Sequence, residues 1–219
     1  MITSSSLIKW HFAAACAHSI AFAVSFGLTM ASEDPITVNG IPVAFWMPAF
    51  AGITTLFELA AATPVEIHTR LDRGAAPLRW IEYSITASIM LVAIAQLSTV
   101  DDPRLLILAI VLPNVACQYT GYKLELTGKK HWFWIGSLLG IVPWIPISVA
   151  FFQHVNEVPG FVIGIYVSLI ALFLPFPYVA WRYSSGSIHF IQADLEYTFW
   201  SLTAKMALLG QVLAGALTR

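Results

Sequence analysis

Charged residues are scarce in this 219-residue chain, and cysteines are scarcer. Only 11% of the residues are charged, whereas 58% are hydrophobic, and the mean hydropathy is +0.76. Because soluble domains average about 25% charged residues, this composition excludes an ordinary soluble domain and indicates an integral membrane protein. A net charge of −1 argues against nucleic acid as a partner. Cys16 and Cys117 lie in apolar segments, which favours packing residues over a disulfide or a metal site.

Seven apolar segments are long enough to cross a bilayer, which takes about 20 residues. They predict an all-α membrane protein, a seven-transmembrane helix bundle that forms a single domain over residues 1–219. Between the first two segments, Asn39-Gly40 stands among β-branched residues and predicts a short β-hairpin. The predicted spans are about 7–30, 42–68, 77–99, 103–124, 131–154, 159–183 and 190–217.

Lysine and arginine are unevenly distributed between the two sets of connecting segments. Arg104 and Arg219 lie on one side, together with several acidic residues. Positive residues collect in cytoplasmic loops, so we predict a cytoplasmic N-terminus, an extracellular C-terminus and an extracellular hairpin, in a multi-pass protein of the plasma membrane. The basic residues on the other side are Lys9, Arg70, Arg73, Arg79, Lys123, Lys129, Lys130 and Arg182.

Lys205 lies inside the last apolar segment. An ammonium at that depth costs roughly 2.5–3.5 kcal/mol, so it needs a carboxylate partner, a wet cavity or altered amine chemistry such as a Schiff base. Ser201 precedes it by one helical turn on the same face. The alternative is a lysine that extends to the interface, which the apolar and small residues up to Thr218 disfavour.

Glu82 lies inside the third segment, where a carboxylate must be neutral or paired. We predict that it pairs with Lys205, the one cation expected within a span. The alternative is an interfacial pair between Glu82 and Arg79, three residues earlier.

Three further polar residues are candidates for a network around this pair. Thr54 and Glu58 lie one turn apart in the second segment, and His18 lies in the first. A shared network with Glu82 is one interpretation, and an ordinary buried histidine is the other. Asn114 in the fourth segment could form a hydrogen bond across helices.

Aromatic residues complete a predicted pocket. Gly140-Ile-Val-Pro-Trp144 bends the fifth segment and places Trp144 at the bend, and Phe173 and Phe176 add flat surface. Aromatic residues around a lysine suit an elongated apolar ligand.

Four motifs together resemble the heliorhodopsins, retinal proteins whose topology is inverted relative to other microbial rhodopsins. The resemblance extends from His18 to Gly215. The motifs are Arg79-Trp-Ile-Glu-Tyr-Ser84, Gly140-Ile-Val-Pro-Trp144, Val158-Pro-Gly-Phe161 and Ser201-Leu-Thr-Ala-Lys205.

The resemblance implies all-trans retinal bound to Lys205 as a protonated Schiff base, with Glu82 as counterion and Ser201 beside the linkage. Tyr83, Trp144 and Asn114 are assigned to the same cofactor site. The resemblance also implies a homodimer, with the hairpin near the partner.

The resemblance further places His18 in a polar cavity on the cytoplasmic side. With Thr54 and Glu58, the residues singled out by their spacing, His18 makes up the predicted proton network. The chain departs from the family at Phe57-Glu58, where relatives typically have Phe followed by His. A carboxylate therefore replaces an imidazole in the expected proton-holding network.

We therefore expect a light-absorbing photoreceptor rather than an enzyme. Light would isomerise retinal, and the Schiff base would then lose its proton. Water would link Glu82, His18 and a Glu58 that is neutral in the dark. One alternative is a light-driven or light-gated proton transporter that uses Glu58. The other is a membrane enzyme or carrier without retinal, in which Lys205 and Glu82 act as acid and base.

Overall fold

A computed structural model describes residues 4–31, 37–38, 41–100 and 102–217 of the chain. Two short strands, β1 (Thr37–Val38) and β2 (Ile41–Pro42), pair antiparallel. The predicted turn at Asn39-Gly40 lies outside the described residues. The helices are α1 (Ser4–Ala31), α2 (Val43–Ala61), α3 (Pro64–Arg73), α4 (Pro77–Leu97), α5 (Pro103–Leu105), a π-helix (Leu106–Val111), α6 (Leu112–Thr127), α7 (His131–Ile141), α8 (Trp144–Gln153), α9 (Gly160–Phe173), α10 (Pro175–Ser184) and α11 (Phe190–Leu217).

The described part of the chain is an integral, multi-pass membrane protein. A sixth span is present if the bent pair α2 and α3 is counted as one. Helix α11 has 28 residues and is therefore about 42 Å long. Polar residues such as Lys205 and Gln211 lower its mean hydropathy, and it is not one of the strongly apolar segments. Five segments are long and apolar enough to cross a bilayer: Ser5–Ala31, Pro77–Leu97, Pro103–Thr127, His131–Gln153 and Gly160–Ser184.

The second predicted span, 42–68, is not one continuous helix. The chain bends by 76° between α2 and α3. Thr63 caps α3, because its Oγ1 accepts a hydrogen bond from the Glu66 amide at 3.3 Å. Pro64 fits the first position of a helix, where no amide hydrogen is needed. Local capping therefore starts a second, short helix where hydropathy alone predicts a continuation.

Prolines also distort three other spans without reversing the chain. The π-helix precedes Pro113, which cannot donate a backbone hydrogen bond. The fifth predicted span divides into α7 and α8 at Pro143, and the sixth divides into α9 and α10 just before Pro175.

The bundle has a polar end and an apolar end. Helix α4 packs against α2 and α6, and α11 packs against α1, α9 and α10. The end that carries the loops with Arg73, Lys129 and Arg182 is called the basic end below. The opposite half is an apolar core, whose fully buried members include Met47, Phe50, Ile94, Ile147, Ile165, Leu169 and Leu208.

Candidate functional site

Lys205 and Glu82 meet in the interior of the bundle. Each residue is only 3% exposed, and Lys205 Nζ donates a hydrogen bond to Glu82 Oε1. The same oxygen accepts hydrogen bonds from Thr86 Oγ1 at 2.9 Å and Thr54 Oγ1 at 3.2 Å. The expected contact is therefore present, and a lysine that extends to the interface is the wrong alternative. A buried ion pair needs such additional hydrogen bonds to offset its desolvation.

Arg79 does not pair with Glu82, so the interfacial alternative is wrong as well. Arg79 is buried, with Nη1 bonded to Asp194 Oδ1 and Nη2 bonded to Glu125 Oε1. Its guanidinium lies 4.7 Å from the Tyr197 ring centroid. The expectation that Lys205 is the one cation within a span is also wrong, because α4 carries Arg79 inside the bundle.

A polar stripe along α11 leads from the basic end to Lys205. Asp194, Thr198, Ser201 and Lys205 are all buried, and their spacings of four, three and four residues keep them on one helical face. Only the Ser201–Lys205 part of this stripe is predicted from the sequence. Asp194 lies eleven residues before Lys205, which is about three turns, so the same periodicity would have identified it.

A cavity of about 360 Å³ opens beside Lys205. The residues assigned to the cofactor site from the sequence, Ser201, Tyr83, Trp144 and Asn114, all line this cavity together with Lys205. Its walls are mostly apolar or aromatic. The structure therefore brings the expected pocket residues together around the buried amine.

Hydrogen bonds and ring contacts hold three of these wall residues in place. The Tyr83 hydroxyl donates to the Tyr197 carbonyl at 2.9 Å, and the Tyr83 ring centroid lies 5.4 Å from Lys205 Nζ. Trp144 packs edge-on against Phe173, with ring centroids 5.4 Å apart. Asn114 Nδ2 donates to Ser88 Oγ at 2.9 Å. The pocket is thus built from side chains with fixed partners.

Glu58 has a partner that sequence analysis missed. His11 Nδ1 lies 2.6 Å from Glu58 Oε2, and both side chains are buried. His11 lies seven residues before His18, two turns along α1, so both histidines share a face of that helix. A small cavity of about 10 Å³ is lined by His11, Glu58 and Glu82, which is room for about one water molecule.

His18 is not hydrogen bonded to the polar residues around Lys205. Its Nδ1 donates to the Ala14 carbonyl at 2.8 Å, and its Nε2 has no hydrogen-bond partner among the described residues. The structure therefore joins Thr54 to Glu82 and His11 to Glu58, and leaves His18 outside both contacts.

Asp194 is the centre of a buried charge cluster at the basic end. Besides Arg79, it accepts hydrogen bonds from Arg70 Nη1, which lies 3.3 Å from each carboxylate oxygen. Arg70 Nη1 also lies 3.2 Å from His11 Nε2, and Arg70 Nε donates to Glu66 Oε1 at 3.1 Å. Hydropathy assigned Arg70 to a solvated loop, whereas the bend before α3 turns it into the bundle.

The two cysteines have different surroundings. Cys16 is exposed on α1, so it is not the packing residue that the sequence indicated. Cys117 is half-buried, and its Sγ donates to the Gly136 carbonyl at 3.2 Å.

The helical arrangement is that of the rhodopsins. The transmembrane domain of the rhodopsin phosphodiesterase from Salpingoeca rosetta superposes with a TM-score of 0.80 at 14% identity, over 98% of this chain and 86% of that chain. A light-driven proton pump from Leptosphaeria maculans gives 0.79 at 14% identity, over 97% and 96%. A thermophilic rhodopsin from Rubrobacter xylanophilus gives 0.75 at 16% identity, over 96% of each chain. At such identities these similarities establish the fold alone.

The sequence narrows this class to one family. The heliorhodopsin family model matches residues 7–217, so the chain belongs to the heliorhodopsin family. No curated protein matches the chain significantly in sequence. Family membership and fold together support a retinal-binding, light-responsive membrane protein.

Proposed function

We propose that this protein is a photoreceptor in which Lys205 binds all-trans retinal as a protonated Schiff base and Glu82 is the counterion. The observation that carries the proposal is the buried contact between Lys205 Nζ and Glu82 Oε1, beside a cavity of about 360 Å³ that Lys205 lines. That volume lies within the usual range for ligand sites. Apolar walls suit a polyene chain, and the amine suits an aldehyde, so these residues fit retinal.

The residues around Lys205 have distinct parts in this proposal. Bound retinal would supply light absorption and photoisomerisation. Glu82 balances the positive charge at the lysine nitrogen, which is costly to leave unpaired at low dielectric constant. Thr54 and Thr86 hold Glu82 Oε1 in place through their hydroxyl groups. Trp144 restricts the space along the cavity.

The proton acceptor that we propose is the His11–Glu58 pair. The proton at the Lys205 nitrogen would pass by way of Glu82 and the small cavity that Glu82, His11 and Glu58 line. In place of the neutral Glu58 expected from the sequence, we propose a dark state with neutral His11 donating to a Glu58 carboxylate. His11 thereby takes the position in the network that the sequence assigned to His18.

Proton transport is not favoured. The likeness to a light-driven pump is at 14% identity and carries the fold alone. On the side of Lys205 away from the basic end, the described residues form the apolar core around Met90, Leu91 and Ile94. Among the described residues, this core contains no carboxylate or imidazole that could relay a proton across the bundle.

The same proposal includes the arrangement in the membrane. The spans would be seven, with α2, α4 and α11 among them and with the N-terminus in the cytoplasm of a plasma-membrane protein. The β-hairpin would lie outside, near the partner subunit of a homodimer. A tag at the C-terminus tests the orientation: it should bind antibody on intact cells, and binding only after permeabilisation would reverse the topology.

Adding all-trans retinal to the purified protein tests the cofactor assignment. The wild type should become coloured, and Lys205→Ala should remain colourless because it lacks the amine. Lys205→Arg is the matched control, because it keeps a cation beside Glu82 but cannot form the linkage. Colour in either variant would refute the assignment, and a colourless wild type would favour the membrane enzyme or carrier.

A further inference from the structure

We propose that Arg70 and helix α3 form a light-sensitive latch at the basic end of the bundle. Arg70 holds α3 against the other helices in the dark, and α3 is released when His11 takes up a proton. The latch rests on the proposed function, because light delivers the proton through the transfer from Lys205 to the His11–Glu58 pair.

The latch is indicated by the burial of a charged side chain on α3, a helix that is mostly exposed. This helix leaves the line of α2 at 76° and exposes Val65, His68 and Asp72. Arg70 and Ile67 are the buried residues of this ten-residue helix, each only 1% exposed, and Ile67 is apolar. The Arg70 guanidinium is therefore the main polar contact between α3 and the charges inside the bundle.

The hydrogen bond from Arg70 to His11 depends on the protonation state of the imidazole. A guanidinium can only donate, so the 3.2 Å contact between Arg70 Nη1 and His11 Nε2 is a hydrogen bond when Nε2 is the acceptor, and we assign that arrangement to the dark state. His11 Nδ1 then carries the hydrogen that Glu58 Oε2 accepts. In this arrangement His11 is neutral, and the lone pair on Nε2 accepts the hydrogen bond from Arg70 Nη1.

A proton on His11 Nε2 reverses that contact. The imidazolium has no lone pair that could accept a hydrogen bond from Arg70. Its positive charge also lies beside the guanidinium, since Nε2 is 3.2 Å from Arg70 Nη1. Asp194 Oδ2, now 3.6 Å from His11 Nε2, becomes the nearest new acceptor. Asp194 can therefore exchange Arg70 for His11, and the two arrangements have the discrete character that a switch requires.

Arg70 is the cation that the cluster can release most easily. Arg79 is bonded to both Asp194 and Glu125 from the interior of α4. Arg70 has a second partner in Glu66 on its own helix, whose side chain is 16% exposed. The charged and titratable groups around His11 and Arg70 on the neighbouring helices are Glu58 on α2, Arg79, Glu82 and Tyr83 on α4, and Asp194 on α11.

Hydrogen exchange of the α3 amides, residues 65–73, measures the latch directly. In the dark, Arg70→Gln should exchange at least about tenfold faster than the wild type, since it loses hydrogen bonds to a charged group. Arg182→Gln is the matched control, because it removes the Arg182–Glu196 ion pair at the same end without touching α3. If Arg70→Gln does not fold, Arg70→Lys takes its place. Lysine keeps the charge but has one donor nitrogen where arginine uses Nη1 and Nε, so α3 exchange should be faster than in the wild type by a smaller factor.

Illumination separates the latch from the proposed function. Wild-type protein should exchange faster at α3 in the light, whereas His11→Gln should show no light effect, because glutamine can accept from Arg70 but cannot take the proton. Dark exchange in Arg70→Gln equal to that of the wild type overturns the latch. Faster dark exchange in Arg70→Gln with no light effect in the wild type overturns the proton transfer and supports the attachment of α3.

Discussion

The two halves of the bundle differ in the polar and charged side chains that they bury. The basic end buries two guanidiniums and several carboxylates that form ion pairs with one another, although Arg79 Nε is buried without a partner among the described residues. The opposite half is apolar, and its buried polar atoms Gln96 Oε1 and Ser98 Oγ have no partner among the described residues. Buried charge in a membrane is costly, so its concentration at one end requires the ion pairs that are found there.

Lys205 and Glu82 lie at the boundary between these halves. Toward the basic end, Glu82 lines a small cavity together with His11 and Glu58. Toward the other end, Lys205 is followed on α11 by the buried apolar residue Leu208. The buried carboxylates and the imidazole nearest to Lys205 therefore lie on the side of the basic end, which is the arrangement on which the proposed function rests.

The largest expected effect is at the charged end. Arg79→Gln leaves Asp194 and Glu125 without their shared cation, which should cost about 3–5 kcal/mol of unfolding free energy. Denaturant unfolding of the retinal-loaded protein measures it. Arg79→Lys, which keeps the charge but not the two-pronged geometry, should lose less. A loss below about 1 kcal/mol for Arg79→Gln would show that the cluster is not a structural requirement.

The second largest effect is expected at the boundary between the halves, where a change at Glu82 should act mainly on the absorption spectrum. Glu82→Gln removes the anion nearest to Lys205 Nζ, so the bound chromophore should absorb further to the red where the linkage keeps its proton. Where the linkage loses the proton, absorption should move far to the blue. Spectra recorded across a pH series distinguish these results, and Glu66→Gln serves as a carboxylate control outside the site. An unchanged spectrum and titration would make Glu58 the next candidate for the counterion.

The apolar half should respond more mildly. Leu169 is fully buried on α9 and does not line the cavity beside Lys205. Leu169→Ala should lower the free energy of unfolding by about 0.5–3 kcal/mol, because packing contacts are lost. The loss stays moderate because lipid tails are themselves apolar, so little hydrophobic driving force is lost. The absorption maximum should remain in place. A large spectral shift would mean that the apolar core acts on the chromophore, and the comparison between the halves would fail.

The smallest effect is expected at the end of α4. Thr99 has a φ of +70°, which is strained for a β-branched residue, and its Oγ1 lies 2.9 Å from His154 Nδ1. Thr99→Asn should relieve the strain and keep a polar side chain, for a gain of up to about 1 kcal/mol. Thr99→Val, which keeps the branching and loses the hydroxyl, should be destabilised. Thermal unfolding compares the two.

Much of the candidate site follows from local rules that the sequence displays. Hydropathy locates the apolar segments, and the 3.6-residue helical period puts Ser201 on the Lys205 face. The same period would have revealed Asp194, which was overlooked. Arg70 could not be found in this way, because its burial depends on a bend at Thr63 and Pro64 that turns a basic loop residue inward.

The sequence by itself determined that this is a helical membrane protein of the heliorhodopsin family with a lysine too costly to bury without a partner. Only the tertiary structure decided which partners are shared: His11 rather than His18 beside Glu58, and Arg79 with Asp194 and Glu125 rather than with Glu82. The physical reason is the distance along the chain over which each kind of information acts. Hydropathy and helical period act within one segment, whereas a charge inside a bundle bonds to whichever group the rotation and bending of neighbouring helices bring within about 3 Å.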